Sequence, residues 1–244
     1  MNKKRALFLL GGTMKGAYIA GAMRVFYDKL GPSFFTSIYS RSVGVFEQAF
    51  FASHQPETME GTWRKHVDGR KLINFRNIFR RKPILNLDYL VEILKDDRSY
   101  LDVGKMLSSP LNLYSFATDI KTRRPVMFDI KKENVFDLME ATCALPFLYH
   151  PVELEGKKYF DGAWAKKKYW DKMVTELYDQ YDEVIVILNK NTDRQFIPAN
   201  TKLRLLKPSR MPLWYAFDTN KERIVETIEQ GKIDALKFIE THSL

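Results

Sequence analysis

The chain has 244 residues, of which 45% are hydrophobic, 14% aromatic and 28% charged. This balance is typical of a globular protein with a sizeable core, and it excludes an intrinsically disordered or fibrous chain. The 39 Lys and Arg residues exceed the 30 Asp and Glu residues by nine, which suggests an anionic partner: a nucleic acid, a membrane surface or an acidic substrate.

The first half of the chain alternates between apolar strand patterns and helix patterns. Its predicted elements are a buried strand at 5–10, a glycine-rich turn at 11–16, a helix over 17–30, a short strand at 37–39 and an apolar helix over 45–53. Residues 55–110 predict a helical, irregular insert with a basic middle.

The second half continues the alternation. Its predicted elements are strands at 111–120 and 124–130, a helix over 133–145, a hairpin over 151–162, a helix over 166–181, strands at 183–188 and 203–207, and one or two closing helices within 213–240. Strands that alternate with helices predict a three-layer α/β/α sandwich around a largely parallel sheet. We expect one domain over residues 1–244.

The sequence contains no run of about 18 apolar residues, the length that a transmembrane helix needs. Its first residues imitate a signal peptide, but the apolar run at 6–10 is too short and Lys15 interrupts the chain soon after it. The single cysteine, Cys143, excludes an internal disulfide and fits a reducing compartment. We therefore expect a cytoplasmic protein that meets membranes only peripherally.

Ser42 lies in the segment Ser-Arg-Ser-Val-Gly, between a short apolar strand and an apolar helix. This context is typical of a nucleophile elbow, G-x-S-x-G, in which a strained turn exposes the serine hydroxyl. Ser40 replaces the first glycine of the elbow, whereas Val43 and Gly44 fit it. The alternative is a serine that only caps the N-terminus of the helix.

The turn Gly-Gly-Thr-Met-Lys-Gly at 11–16 separates the first strand from the first helix. Such a turn presents free backbone N–H groups to an anion, which is either a phosphate or the oxyanion of an acyl-transfer intermediate. The turn is not a phosphate-binding Walker A loop, because Ala17 follows Gly16 where that loop has lysine. The alternative is a plain strand-to-helix turn.

Asp161 begins the segment Asp-Gly-Ala at the end of a predicted hairpin strand. An aspartate held there can orient or deprotonate a nucleophile. Asp-Gly is also a common turn dipeptide, so this segment alone is not specific.

Taken in this order, the three segments resemble the motifs of the patatin-like phospholipase family in its bacterial, single-domain form. Residues 11–21 resemble its glycine-rich oxyanion motif, residues 40–44 its nucleophile elbow and residues 161–163 its catalytic aspartate motif. Residues 113–129 and 140–163 are also similar to the family between the motifs, so the resemblance covers nearly the whole chain.

The resemblance implies a serine acyl hydrolase with a Ser–Asp dyad and no metal or cofactor. Ser42 would attack the ester carbonyl of a lipid, and Asp161 would take the serine proton directly. Water would then hydrolyse the acyl-enzyme. The implied oxyanion site comprises backbone groups of the glycine-rich turn, namely Gly11, Gly12, Thr13, Lys15 and Gly16, with Val43 beside them.

The sequence departs from the family pattern at four places. Thr13 stands where the family usually has its third glycine, and a Cβ is costly there if φ is positive. Lys15 replaces the more usual arginine, Ser40 replaces glycine in the elbow, and Trp-Ala-Lys-Lys-Lys-Tyr-Trp follows the aspartate motif. These departures favour an alternative, a catalytically weak or inactive lipid-binding protein.

A Ser–His–Asp triad is the alternative to the dyad. The chain order Ser42, Asp161, His242 matches that of α/β-hydrolases. His242 lies close to the end of the sequence, where chains usually fray, so the dyad is favoured.

Two basic, aromatic segments are candidates for contact with an anionic membrane. Residues 69–83 interleave six cations, among them Arg80, Arg81 and Lys82, with apolar residues at helix-like spacing. The alternative is a surface helix whose apolar face belongs to the core. A second patch after Asp161 contains Trp164 and Trp170. The sequence has no zinc-finger spacing, aromatic RNA-binding motif or basic zipper, so no nucleic-acid partner is expected.

Overall fold

The computed structural model describes residues 3–189 and 202–244. The strands are β1 (Arg5–Leu9), β2 (Ser37–Arg41), β3 (Asn112–Asp119), β4 (Pro125–Asp129), β5 (Val152–Leu154), β6 (Lys157–Asp161), β7 (Glu183–Ile187) and β8 (Leu203–Leu206). The helices are α1 (Gly16–Leu30), α2 (Gly44–Ala52), α3 (Pro56–Lys65), α4 (Leu87–Lys95), α5 (Val103–Ser108), α6 (Val135–Cys143), α7 (Lys167–Tyr178) and α8 (Lys221–His242).

The strands form one sheet in the order β5-β6-β3-β2-β1-β7-β8, and β4 also pairs with β3. The five strands from β3 to β8 in this order run parallel. The hairpin β5–β6 and strand β4 both join β3 in antiparallel fashion. The prediction of a largely parallel sheet is therefore confirmed.

Central strand β1 is apolar after its first residue, Arg5. Successive side chains of a strand point to opposite faces of the sheet. Leu7 and Leu9 enter the larger core, whereas Ala6 and Phe8 enter a second, smaller core on the other face. Since helices cover both faces, the positions after Arg5 are buried and apolar on either side of the sheet.

Helices form the two outer layers. On one face, α1 packs against α8, α3 and α2 in the larger core. On the other face, α7 contributes Trp170, Val174 and Leu177 to the smaller core. The predicted three-layer α/β/α architecture is confirmed.

Between β2 and β3, the predicted helical insert contains α3, α4, α5 and a short 3-10 helix over Phe75–Arg80. The closing region contains one helix, α8, which begins only at Lys221. The side chain of Asn220 accepts the Arg223 N–H at 2.9 Å and caps this helix. The residues before it form a loop held by Asp218, whose carboxylate accepts the Trp214 N–H at 3.1 Å.

No helix within residues 3–189 and 202–244 is both long and apolar enough to cross a bilayer.

Candidate active site

The carboxyl ends of three neighbouring parallel strands bring the candidate residues together. Gly11 follows β1, Ser42 follows β2 and Asn189 follows β7. In the sheet register, Leu9 pairs with Ser40 on one side and with Ile187 on the other. Open α/β sheets usually bind ligands at this edge, beyond the carboxyl ends of their strands.

Ser42 occupies the sharp turn between β2 and α2. Its φ is 55°, in the left-handed region that non-glycine residues rarely adopt. Helix α2 begins two residues later at Gly44, where a Cβ atom would lie only 2.9 Å from the Cβ of Leu9. Glycine at this position therefore lets the helix start directly against β1, and the turn has the strained geometry of a nucleophile elbow.

Asp161 ends strand β6, on the far side of β3 from Ser42. Arg41 pairs with Phe116 of β3, and Asp161 pairs with the next residue, Ala117. The register thus places Asp161 level with the residue after Arg41, which is Ser42. This arrangement brings together the two residues that the sequence predicts as the catalytic pair.

Backbone and side-chain hydrogen bonds fix Asp161 in place. Its N–H donates to the Ala144 carbonyl at 2.8 Å, and its carbonyl accepts from the Thr118 hydroxyl at 2.8 Å. Carboxylate atom Oδ1 accepts from the Ala163 N–H at 2.7 Å. The other oxygen, Oδ2, is buried and makes no hydrogen bond of standard geometry.

The electrostatics of Asp161 combine burial with three stabilising groups. Complete burial raises the pKa of its carboxyl above the ordinary value. The Ser42 hydroxyl, the Ala163 N–H and the Arg41 guanidinium each lower that pKa and partly offset the rise. The hydroxyl is therefore close to the carboxylate although it does not meet the standard hydrogen-bond geometry. Contacts between nucleophile and base are commonly longer than ideal before substrate binds.

The glycine-rich turn lies directly against Ser42. Gly11, Gly12 and Thr13 all have positive φ, of 71°, 129° and 54°. A Cβ atom on Gly11 would lie 2.8 Å from the Cβ of Ser42, so only glycine permits this approach. Within the part of the chain that the structure describes, the N–H groups of Gly11, Gly12, Thr13 and Val43 donate to no protein acceptor. These donors form a potential anion site beside the Ser42 hydroxyl.

Contacts from other parts of the fold hold this turn. The side-chain amide of Asn189 donates to the Gly11 carbonyl, and the Met14 N–H donates to the Ala216 carbonyl at 3.0 Å. Lys15 is half-buried in the 3-10 turn before α1. Gly16 begins α1, so close to the Val43 side chain that a Cβ would lie 2.6 Å from it.

Ser40, which replaces the first elbow glycine, is buried between β2 and β3. Its hydroxyl donates to the Ser115 hydroxyl at 3.0 Å, and Ser115 is its cross-strand partner. A small polar residue on the neighbouring strand therefore accommodates the extra side chain.

An apolar cavity adjoins the Ser42 hydroxyl, with a volume of about 30 Å³. Its remaining lining residues are Thr13, Val43, Phe46, Leu72, Leu85, Leu87, Leu90, Cys143 and Leu145. A second apolar cavity of about 20 Å³ shares part of this wall and extends toward Glu47 and Trp63. The site thus combines a few converging polar groups with a lining suited to hydrocarbon.

Three residues of the site were missed by sequence reasoning. Arg41 donates to the Leu10 carbonyl at 3.2 and 3.3 Å and stabilises the Asp161 carboxylate. Burial and the nearby Asp161 raise the pKa of the Cys143 thiol well above its usual range, so the thiol stays protonated. Asn189 directly follows the predicted strand at 183–188, and that strand-end position was the signal that could have identified it.

The expectation that Trp170 contacts a membrane is wrong. Its side chain is only 3% exposed, and its Nε1–H donates to the Gly162 carbonyl at 3.0 Å. Trp170 lies on the face of α7 that packs on the sheet, together with Val174 and Leu177. Trp164 is half-buried against the Phe160 ring and the Arg123 guanidinium.

Unlike Trp170, most of the basic segment at 69–83 is exposed to solvent. Arg80, Arg81 and Lys82 are exposed, and so are Phe75, Ile78 and Phe79. The alternative interpretation, in which the apolar residues of this segment belong to the core, therefore holds only for Leu72 and Ile73.

All four histidines lie in the described ranges, and none forms a hydrogen bond with Ser42 or Asp161. The His242 Nδ1 atom lies 2.8 Å from the Phe238 carbonyl, and its ring packs on the Phe238 ring. The triad is thus not formed. The described residues also contain no group of three or more His, Cys, Asp or Glu side chains placed to hold a metal ion.

Comparisons with known proteins point to one family. The sequence model of the patatin-like phospholipase family matches residues 7–167. No curated protein sequence matches the chain.

Among solved structures, VipD from Legionella pneumophila is similar with a TM-score of 0.57 at 11% identity, over 99% of this chain and 67% of that one. Human GIVD cytosolic phospholipase A2, solved with a methyl γ-linolenyl fluorophosphonate inhibitor, is similar with a TM-score of 0.58 at 9% identity. That match covers 98% of this chain and 59% of the human chain. At these identities the likeness shows a shared fold.

Proposed function

Because the chain belongs to the patatin-like phospholipase family, we propose that it is a lipid acyl hydrolase with Ser42 as nucleophile and Asp161 as general base. One observation carries the proposal. The buried Asp161 carboxylate keeps one oxygen without a standard hydrogen bond, beside a serine on a strained strand-to-helix turn. An acceptor aimed at a nucleophile, with no histidine between them, is the arrangement that a dyad requires.

In the first step, the Ser42 Oγ atom attacks the ester carbonyl while its proton passes to Asp161 Oδ2. Aspartate in water has a pKa of roughly 3.9 and is a weak base at neutral pH. Burial raises the pKa of Asp161 and makes it a stronger proton acceptor. The Ala163 N–H, bonded to Oδ1, keeps the carboxylate oriented while the proton is transferred.

The attack places negative charge on the carbonyl oxygen of the substrate. We assign the stabilisation of this oxyanion to the backbone N–H groups of Gly11, Gly12 and Thr13, with that of Val43. Fixed donors of this kind typically contribute a factor of about 10²–10³ each to the rate. The cationic side chain of Lys15, within this turn, adds positive charge near the site.

Asp161 then returns its proton to the leaving alcohol, which leaves Ser42 acylated. A water molecule takes the place of the alcohol, and Asp161 accepts a proton from it as it attacks the acyl carbonyl. The serine leaves and recovers its proton, so the enzyme returns to its starting state and a fatty acid is released.

The apolar lining beside Ser42 supports an acyl chain as the part of the substrate that binds there. The cavity of about 30 Å³ is about the size of one water molecule, so the surrounding leucines must move apart to admit the chain. We propose phospholipids or related lipids at an anionic membrane surface as the substrates. In this proposal the chain acts as one domain, peripherally bound, with Arg80, Arg81 and Lys82 facing the headgroups.

A fluorophosphonate that labels active serines tests this function against the inactive, lipid-binding alternative. We expect one phosphonyl group per chain, on a peptide that contains Ser42. We expect much slower labelling of Asp161→Asn, and of Ser42→Ala none. Ser115→Ala, which changes a buried serine outside the proposed chemistry, is the matched control. A folded wild type that the reagent does not label would contradict the proposal.

A further inference from the structure

Three loops contact either the partly open cavity beside Ser42 or the glycine-rich turn next to it. The first is a flap over residues 72–86, closed by an antiparallel bridge between Ile73 and Leu85. The second is the 145–148 loop after α6, and the third is the 213–217 loop before α8.

Each loop is anchored in the site. Flap residues Leu72 and Leu85 line the cavity beside Ser42, as does Leu145 of the second loop. The Leu85 N–H donates to the Leu148 carbonyl at 3.0 Å, which joins the first two loops. Ala216 of the third loop accepts the Met14 N–H of the glycine-rich turn. The Phe75 and Phe217 rings, 6.1 Å apart, join the third loop to the flap.

Each loop also carries at least one large apolar side chain that the fold leaves exposed to solvent. Phe79 is 90% exposed, Phe147 is 97% exposed and Trp214 is 77% exposed. We call these three residues the rim. Tyr215 and Ile78 are exposed beside it. Large apolar side chains exposed on adjoining loops are typical of an interaction surface.

Phe147 has a strained backbone and an exposed side chain, a combination that does not stabilise the fold. Its φ is 68°, a conformation that is unfavourable for a bulky residue and easy for glycine or asparagine. A side chain that is 97% exposed provides almost no packing to offset this strain. Backbone strain that no packing offsets is typical of residues with a functional role.

The charged side chains of the flap are all of one sign. The flap contains no acidic residue, and four exposed cations surround its tip: Arg76, Arg80, Arg81 and Lys82. Within residues 3–189 and 202–244, none of the four forms an ion pair. Aromatic side chains next to unpaired cations complement the interface of a bilayer that contains anionic lipids.

We propose that Phe79, Phe147 and Trp214 insert together into an anionic bilayer, so that the opening to Ser42 faces the lipid. The cations of the flap contact the headgroups while the rim enters the acyl boundary. A lipid can then pass from the bilayer to the site without crossing water. This inference rests on the proposed function, whose substrate is membrane lipid, and adds the surface and orientation by which the protein binds.

Vesicle flotation in a Ser42→Ala background tests the surface without hydrolysis. The probes are phosphatidylcholine vesicles with and without phosphatidylglycerol. We expect binding only to the anionic vesicles, weakened by salt, and at least tenfold weaker for Phe79→Ser/Phe147→Asn. The matched control is Ile233→Ser/Leu236→Ser, which removes two exposed apolar residues from α8 and should bind like the parent. Equal thermal unfolding midpoints of the variants would exclude misfolding.

Tryptophan fluorescence reports insertion directly. Of the four tryptophans, Trp63 and Trp170 are buried and Trp164 is half-buried. Brominated lipids should therefore quench mainly Trp214, and Trp214→Phe should abolish most of the quenching. Unchanged binding of the rim variant, equal loss in the α8 control or binding without Trp214 quenching would overturn the proposal. Because the Ser42→Ala background hydrolyses nothing, failure here is distinct from failure of the proposed chemistry.

Discussion

Ser42 and Asp161 lie on opposite sides of strand β3 at the same level of the sheet. Arg41, just before the serine, pairs with Phe116, and the aspartate pairs with Ala117. The distance between serine and carboxylate is therefore set by the regular spacing of hydrogen-bonded strands, about 4.7–4.9 Å between neighbours. A dyad needs this fixity because no histidine relays the proton between the nucleophile and the base.

The pH dependence of activity should report the Asp161 carboxyl. The base accepts a proton only when ionised, so activity falls as pH drops below its pKa, which burial raises. Arg41 lowers that pKa, so Arg41→Gln should raise it and move the acid limb of the kcat/KM profile upward by about one pH unit. Arg124→Gln, which removes an exposed cation, is the control. An acid limb unmoved by Arg41→Gln would show that Asp161 is not the base.

Glu47 should make stability depend on pH. Its side chain is fully buried, with Oε1 accepting the Trp63 Nε1–H at 2.8 Å and Oε2 unpartnered. Burial raises its pKa to about 8, against roughly 4.3 in the unfolded chain. The folded state then binds more protons, so the free energy of unfolding falls as pH rises between these values, by a few kcal/mol at most.

Glu47→Gln should remove this fall, because the amide keeps the bond to Trp63 and carries no charge. Urea unfolding at several pH values from 4 to 9 measures it, with Glu153→Gln at an exposed position as the control. A variant that retains the slope of the wild type would assign the pH dependence to other groups.

The helices and strands and their succession along the chain could be predicted from the sequence, because hydrophobic periodicity is strong in a sheet buried on both faces. Ser42 and Asp161 were predicted from local motifs, and the sheet register brings them together. Asn189 and Arg41 were missed because their roles depend on strand order, which no local pattern carries. Trp170 was placed wrongly because the lysines that precede it indicated an exposed segment, whereas its own position lies on the buried face of α7. The apolar tip of the flap was ambiguous because helix-like spacing does not say which face is covered.

The close contact of the glycine-rich turn with Ser42 makes Gly11 irreplaceable. A Cβ there would lie 2.5 Å from the Arg41 carbonyl and 2.8 Å from the Ser42 Cβ, at a φ of 71°. We expect Gly11→Ala to lower the free energy of unfolding by about 2 kcal/mol or more and to abolish hydrolysis. Gly61→Ala has open space and should be neutral or stabilising. An active, stable Gly11→Ala enzyme would contradict this account of the turn.

Thr13 should tolerate the glycine that the family pattern has. Its φ of 54° strains a β-branched residue, and the backbone N–H assigned to the oxyanion does not depend on the side chain. We expect Thr13→Gly to raise the free energy of unfolding by up to about 1 kcal/mol and to keep activity. Thr175→Gly on helix α7, where φ is unstrained, should instead lose stability. Chemical unfolding and ester hydrolysis measure both. A large loss of activity in Thr13→Gly would assign a role to the hydroxyl.

The most direct test is hydrolysis of a short-chain p-nitrophenyl ester and of mixed phospholipid vesicles. The proteins compared are wild type, Ser42→Ala, Asp161→Asn and His242→Ala. The account predicts that the wild type and His242→Ala hydrolyse both substrates, whereas Ser42→Ala and Asp161→Asn lose at least about 10³-fold in kcat while remaining folded. Full activity in Asp161→Asn, or loss in His242→Ala alone, would contradict the dyad.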